Sequence, residues 1–328
     1  MQIQTKRLGE SLPPPEFRAI ERLATMPGPW VSQTASPNEG LNMSNYETLL
    51  ICLGAQKAGT TWLWRYLREH PQCAATPLKE VHFFDGRPER LPRLLMENRQ
   101  EAAAAESPED IGFLEEKRIF IERAIGFVGQ EERTAEAFET LVSSIATPGT
   151  KVVAEFTPAN GKLAAPKLKK LADLPIQPKF VLTLRDPVDR LWSQIRMLAR
   201  RQATDSNDAH SVALDILARF EAGLNDALPK RSDYAAMLRR AKKAIPPERL
   251  FVDFFESFIS QPRIDAFCDF LGIDHHPARL DEPRAVGIDI PLAPEVRIRL
   301  RDRLMEQYEA VEKELGTLPE RWRETLRL

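Results

Sequence analysis

Between Gly54 and Thr61 the chain reads GAQKAGTT, the frame of a phosphate-binding loop, G-x-x-x-x-G-K-[ST], with one residue displaced. Thr60 stands where that loop keeps its lysine, and Lys57 lies inside it. Gly54 and Gly59 permit a tight turn and a close approach of ligand to backbone. The apolar run TLLICLG (48–54) before the loop and the helical pattern Thr60–Glu69 after it would bring backbone N–H groups and a helix N-terminus to one spot, which is an anion site. Thr60 and Thr61 can add hydroxyl donors. Hydrolysis of a nucleoside triphosphate would further require the lysine at the helix start and a later strand ending in Asp to hold magnesium. The run VLTLR ends instead in Arg185. A lysine within the loop suits transfer of a group less charged than phosphoryl. Sulfuryl is such a group, and lysine with backbone donors can stabilise its transfer without a metal. The loop therefore points to a sulfate donor and to no catalytic metal.

Two other stretches carry chemistry. In KFVLTLRDPVDRLWSQ (179–194) a strand delivers Arg185 to the carboxyl edge of a sheet, Asp186 is a favoured helix N-cap and Pro187 a favoured first helical residue. Ser193 follows on that helix. A guanidinium suits bidentate capture of a phosphate, and a hydroxyl can complete the cage. Arg196, Arg200 and Arg201 further along read as a solvated basic face. In TPLKEVHFFD (76–85) an extended strand would turn Glu80 and His82 to one side and Val81 and Phe83 to the other. Attack by a hydroxyl needs a general base, and Glu80, assisted or replaced by His82, can supply one.

These residues need a scaffold, and the pattern predicts one. Short β-rich runs at 48–54, 151–156, 179–185 and 249–255 alternate with helical patterns at 60–69, 135–146, 162–172, 187–203, 209–228, 232–244, 261–271 and 294–315. Such alternation specifies an α/β three-layer sandwich, a mostly parallel sheet with helices on both faces and its ligands at the carboxyl ends of the strands. Residues 1–46, rich in Pro, Gly, Ser and Asn, read as a flexible arm, with one domain over 47–328. The charged, proline-interrupted segment 86–132 is too long for an ordinary connection and reads as a lid, a substrate-shaping insertion or a solvated helical insertion. The 46 Lys and Arg against 48 Asp and Glu leave a net charge of -2, which argues against nucleic acid or an anionic membrane as the main partner. No run approaches a membrane span or a signal peptide. Cys52, Cys73 and Cys268 lack the spacing of a zinc site, so the expectation is a reduced, cytoplasmic protein.

The pair QKAGTTWL (56–63) and RDPVDRLWSQ (185–194) resembles the PAPS-dependent sulfotransferases, PAPS being 3'-phosphoadenosine 5'-phosphosulfate. The likeness runs from about residue 47 to 323, PPERLFVDFFESFISQPRIDAFCDFLGI (246–273) resembling the family's late strand and C-terminal helices. It implies a P-loop type fold and PAPS as donor, with the 5'-phosphosulfate on the backbone of Lys57, Ala58, Gly59, Thr60 and Thr61 and the Lys57 side chain on the bridging oxygen. It further implies Trp62 against the adenine, or else packed with Leu63 and Leu67, and Arg185 with Ser193 on the 3'-phosphate. KEVHFFD (79–85) resembles the glycan-modifying, heparan sulfate type branch, where the glutamate matching Glu80 is taken as the base. The acceptor implied is a hydroxyl compound, a carbohydrate or small molecule. AEFTPAN (154–160) departs from that branch, with Phe156 in place of a lysine and Asn160 in place of an aromatic. Arg284 and Gly287 in EPRAVGI (282–288) offer only a faint match to the element that closes over the 3'-phosphate. Tyr234 is a further residue that could reach the adenine or pack within its helix. The same residues would also serve a phosphoryl-transferring P-loop enzyme or a nucleotide-binding protein without turnover.

Overall fold

Continuous apolar runs form strands that are buried on both faces. In the computed structural model these are β1 (Thr48–Gly54), β3 (Val152–Phe156) and β4 (Lys179–Leu184), joined by a short β2 (Cys73–Ala75) and a half-buried edge strand β5 (Leu250–Phe254). The structure describes residues 46–84, 90–128, 133–204, 208–224, 227–231, 233–281 and 289–328. Residues 1–45 of the expected arm, and the segment with Arg284 and Gly287, lie outside them. The strand order is β2-β3-β1-β4-β5, and every pairing is parallel. Alternate residues feed two cores. Leu49, Ile51 and Leu53 of β1 join the larger one, while Leu50 and Cys52 join the other. The chain is thus the three-layer α/β sandwich expected.

The helices are α1 (Thr60–Glu69), α2 (Arg90–Ala104), α3 (Pro108–Val128), α4 (Ala135–Ser143), α5 (Ala165–Ala172), α6 (Pro187–Gln202), α7 (Asp208–Glu221), α8 (Tyr234–Ala244), α9 (Gln261–Leu271), α10 (Pro294–Arg303), α11 (Met305–Leu315) and α12 (Glu320–Arg327). Helices α1 and α9 cover one face of the sheet through Leu63, Leu67, Phe267 and Leu271. Helices α4, α5, α6 and α8 cover the other through Phe138, Leu171, Leu191 and Leu238. Several expected helices are shorter than their patterns, two of them markedly. The run 294–315 breaks at Leu304, whose φ of -103° and ψ of 9° leave the helical region, and the run 209–228 ends at Glu221. The segment 90–128 is a helical hairpin. Leu91, Leu95, Phe120, Ile121 and Ala124 bury it against the larger core, so it is docked and not merely solvated. Among the described residues no helix is long and apolar enough to cross a membrane.

Tyr46 is buried and its hydroxyl lies 2.7 Å from Ser143 Oγ, fixing the entry to β1. At the other end of β1, the turn Pro158–Lys162 folds over the strand, and a Cβ on Gly161 would sit 2.2 Å from the Leu53 carbonyl oxygen. That neighbour is backbone of the central strand and cannot give way. We expect Gly161→Ala to lower stability by about 1–3 kcal/mol, measured by denaturant unfolding. An unchanged midpoint would show that the turn can lift off β1 freely.

Candidate functional site

All the strands discharge at one edge, and the loops leaving them build the site. The loop after β1 is pinned from β4: Ala55 N–H donates to Thr183 O at 2.7 Å, and the Thr183 hydroxyl donates to Ala58 O at 2.7 Å. Gly54 and Gly59 have φ of 115° and 83°, and a Cβ on Gly59 would lie 2.6 Å from the Phe255 ring. The glycines are therefore required by backbone conformation and by space. Helix α1 starts at Thr60 with no side-chain cap on its N-terminus, so its first-turn N–H groups have no acceptor within the helix. Thr60 is buried, and Thr61 and Trp62 are half-buried. The Trp62 ring stacks on Tyr66, centroids 6.0 Å apart.

Arg185 leaves β4 beside this loop. Its Nη1 donates to Lys57 O at 3.2 Å and its guanidinium lies 4.9 Å from the Phe255 ring centroid. The fully buried Tyr234 donates its hydroxyl to Arg185 O at 2.7 Å. Its place is thus beneath the arginine, and the alternative of an adenine contact gives way to packing. Asp186 caps α6 as expected, Oδ1 accepting from Asp189 N–H at 2.9 Å, and its other oxygen accepts from the Tyr308 hydroxyl at 2.9 Å. Ser193 lies two turns along α6, half-buried, and no hydrogen bond joins it to Arg185 among the described residues.

Charge is concentrated here. Burial pushes the Lys57 ammonium below the usual lysine range, and Arg185, Arg196, Lys79 and Arg201 push it further in the same direction. Arg196, half-buried and depressed first by burial and then by Arg185, belongs to this cluster. The solvated face expected for it is corrected, because it is half-buried with its Nε shut off from solvent, one turn beyond Ser193, while Arg200 and Arg201 are exposed as expected.

The Glu80–His82 segment is built differently from its sequence expectation. Residues 79–84 are not a strand, and Glu80 and His82 sit in the left-handed region with φ of 63° and 55°. They still share one side: His82 Nε2 lies 3.2 Å from Glu80 Oε2, while Val81 and Phe83 are buried. Lys79 Nζ donates to Glu80 Oε1 at 3.2 Å. Burial alone would raise the Glu80 carboxyl, but the His82 hydrogen bond and the Lys79 charge outweigh it and hold it at about 2. Glu80 is therefore a carboxylate at any working pH, and His82 Nε2 is the donor between them. The hairpin secures this loop, Arg90 Nη1 donating to Glu80 O at 2.8 Å and, from beyond its other end, Arg133 Nη1 to Phe83 O at 3.1 Å. Four described non-glycine residues have positive φ, and three of them are Lys57, Glu80 and His82, the clustering of strain that functional sites show.

Glu155 was not singled out by the sequence reading, although a carboxylate inside VVAEF is a signal. It is 1% exposed, accepts from the Thr157 hydroxyl and from Asn160 Nδ2 at 3.0 Å, and burial, only partly offset by those bonds and by His82, pushes it up to about 7. Phe156, next to it, is wholly buried in the core beneath α1 and α9, so no side chain at that position faces the site.

The sequence matches the family described as "Sulfotransferase family" over residues 50–277. The fold is similar to the crystal structure of a sulfotransferase from Alicyclobacillus acidocaldarius, with a TM-score of 0.54 and 21% identity over 84% of this chain and 98% of that one. A sulfotransferase domain from the Synechococcus PCC 7002 olefin synthase aligns at a TM-score of 0.46 and 15% identity, over 85% of this chain and 98% of that one. No curated protein sequence matches the chain.

The raised Glu155 gives a pH prediction. A carboxyl whose folded value lies above its unfolded one favours the fold in full below about 4.5 and loses that contribution as pH rises through about 7. A shift of this size corresponds to ~3 kcal/mol. Wild-type stability relative to Glu155→Gln is expected to fall by that order between pH 5 and 8.5. Parallel pH–stability curves would refute it.

Proposed function

Because the chain belongs to the sulfotransferase family, we propose that it moves a sulfuryl group from PAPS to a hydroxyl of its acceptor, carbohydrate foremost, by in-line transfer. The observation that carries the donor half is the crowding of Lys57 by Arg185, Arg196, Lys79 and Arg201 around a loop that ends in an uncapped helix. Such a cluster is unfavourable by itself and is relieved by a multiply charged anion. PAPS, with phosphate at both ends of its ribose and sulfate beyond, has that charge pattern. Residues 57–61 would hold the 5'-phosphosulfate by backbone and hydroxyl donors, Lys57 would neutralise charge on the bridging oxygen as it leaves, and Arg185 with Ser193, joined by Arg196, would hold the 3'-phosphate. Trp62 is assigned to the adenine edge.

On the acceptor side the Glu80–His82 pair takes the proton. A carboxylate held at about 2 is a weak base alone, since an efficient one titrates near working pH. The imidazole at 3.2 Å lets the pair share the task. The carbohydrate preference rests on the likeness of KEVHFFD to glycan-modifying relatives.

Thermal unfolding with 3',5'-phosphoadenosine tests the donor. At ~100 times its dissociation constant it adds ~2.7 kcal/mol, or roughly 5–10 °C for a domain of this size. The expected result is such a shift with the 3'-phosphorylated nucleotide, not with 5'-AMP or with ATP and magnesium, and its loss in Arg185→Ala. A larger shift with ATP and magnesium would favour phosphoryl transfer and overturn the reading. For the base, Glu80→Gln and His82→Ala should each lower PAPS turnover by roughly 10²–10⁴-fold with the nucleotide shift retained, followed as nucleotide release over sugar, phenol and alcohol acceptors. Near-normal turnover in both variants would remove the pair from the mechanism.

A further inference from the structure

The strained turn that carries Glu80 and His82 is held residue for residue by the end of β3. Glu80 N–H donates to Phe156 O at 2.9 Å, and His82 N–H donates to Thr157 Oγ1 at 3.2 Å. When Glu155 is ionised, the single proton of the Thr157 hydroxyl goes to Glu155 Oε1. Only lone pairs are then left to face His82, so the orientation of the hydroxyl is fixed from below. Glu155 is fixed in turn, its other oxygen accepting from Asn160 Nδ2, which also reaches Cys52 O on β1 at 3.3 Å. Glu155, Thr157 and Asn160 are between 1% and 2% exposed. Burying a carboxyl group costs stability, and this one lies under the residue whose hydroxyl holds the amide of His82.

We propose that Thr157 and Glu155 are positioning residues for the Glu80–His82 pair. Glu155 orients the Thr157 hydroxyl, and that hydroxyl locks His82 in the left-handed conformation that aims its imidazole at Glu80. The inference builds on the reading of that pair as the proton acceptor. The anchoring reaches from the central strand through Asn160, Glu155 and Thr157 to His82, so the imidazole is referenced to the same strand that carries the Lys57 loop.

The test reads the imidazole directly in the full, unliganded chain. The ¹H–¹³C signal of His82 is assigned by its absence in His82→Asn and followed in Thr157→Val, Thr157→Ser, Glu155→Gln and Glu80→Gln. The expected result is a displaced His82 signal in Thr157→Val and Glu155→Gln, return to the wild-type position in Thr157→Ser, and fixed signals for His70 and His276, which belong to another part of the fold. A His82 signal unmoved in both Thr157→Val and Glu155→Gln overturns the proposal, as does a serine variant displaced as far as the valine one. Where Thr157→Val does not fold, Glu155→Gln and Thr157→Ser decide by the same criteria. Glu80→Gln separates the two readings: if it leaves the His82 signal in place, the Glu80–His82 contact itself fails, whatever the threonine variants show.

Discussion

Like charges repel, and this site gathers Lys57, Lys79, Arg185, Arg196 and Arg201 near one another, with Glu80, Asp189 and Asp289 among the acids that reach them. The arrangement can exist only if the backbone that carries the cations is fixed by other means. The loop after β1 is tied to Thr183, Arg185 is held by Tyr234 below and by Phe255 alongside, and α6 is capped by an aspartate that is itself bound to Tyr308. The hydrogen bonds among them are 2.7–2.9 Å long, and such networks in a low-dielectric interior hold geometry against electrostatic strain. On the proposed reading, folding stores repulsion that an anionic donor would release, so that stability and affinity would be two sides of the same charge distribution.

The same logic separates the two halves of the site. On the proposed reading the donor half is made of backbone and fixed cations. The acceptor half is made of ionisable groups close to one another: Glu80 against His82 and Lys79, with Glu155 underneath. Here, as at Lys57, the chain accepts left-handed backbone at residues with side chains, a cost of order 1–3 kcal/mol each. Arg90 and Arg133 at the ends of the hairpin segment, together with β3, share the work of holding it.

Much of this was legible in the sequence, and the reasons differ by residue. Continuous apolar runs and glycine punctuation gave the long strands, because burial on both faces leaves an unmistakable pattern. The strand Cys73–Ala75 is too short for any period to show. Asp186 and Pro187 announced the start of α6, because caps are local chemistry. The Glu80–His82 conformation was not legible. Alternation of buried Val81 and Phe83 with partly exposed Glu80 and His82 looks the same in a strand and in a turn stabilised by tertiary hydrogen bonds. Arg196 was misread because a helical pattern does not say what lies opposite a long side chain, and the partners of Tyr234 and Thr157 come from residues 49 and 75 positions away.

The sheet order also sets the sequence of events as the chain leaves the ribosome. β1 is the central strand, yet its partner β3 is synthesised about a hundred residues later, Thr48 facing Val152, and β4 later still. Until then TLLICLG, wholly buried in the finished fold, has no neighbour to pair with. A long-lived unpaired apolar strand is a template for association between nascent chains. Burial of that segment, and with it the site it will carry, therefore waits on strand residues about a hundred positions downstream.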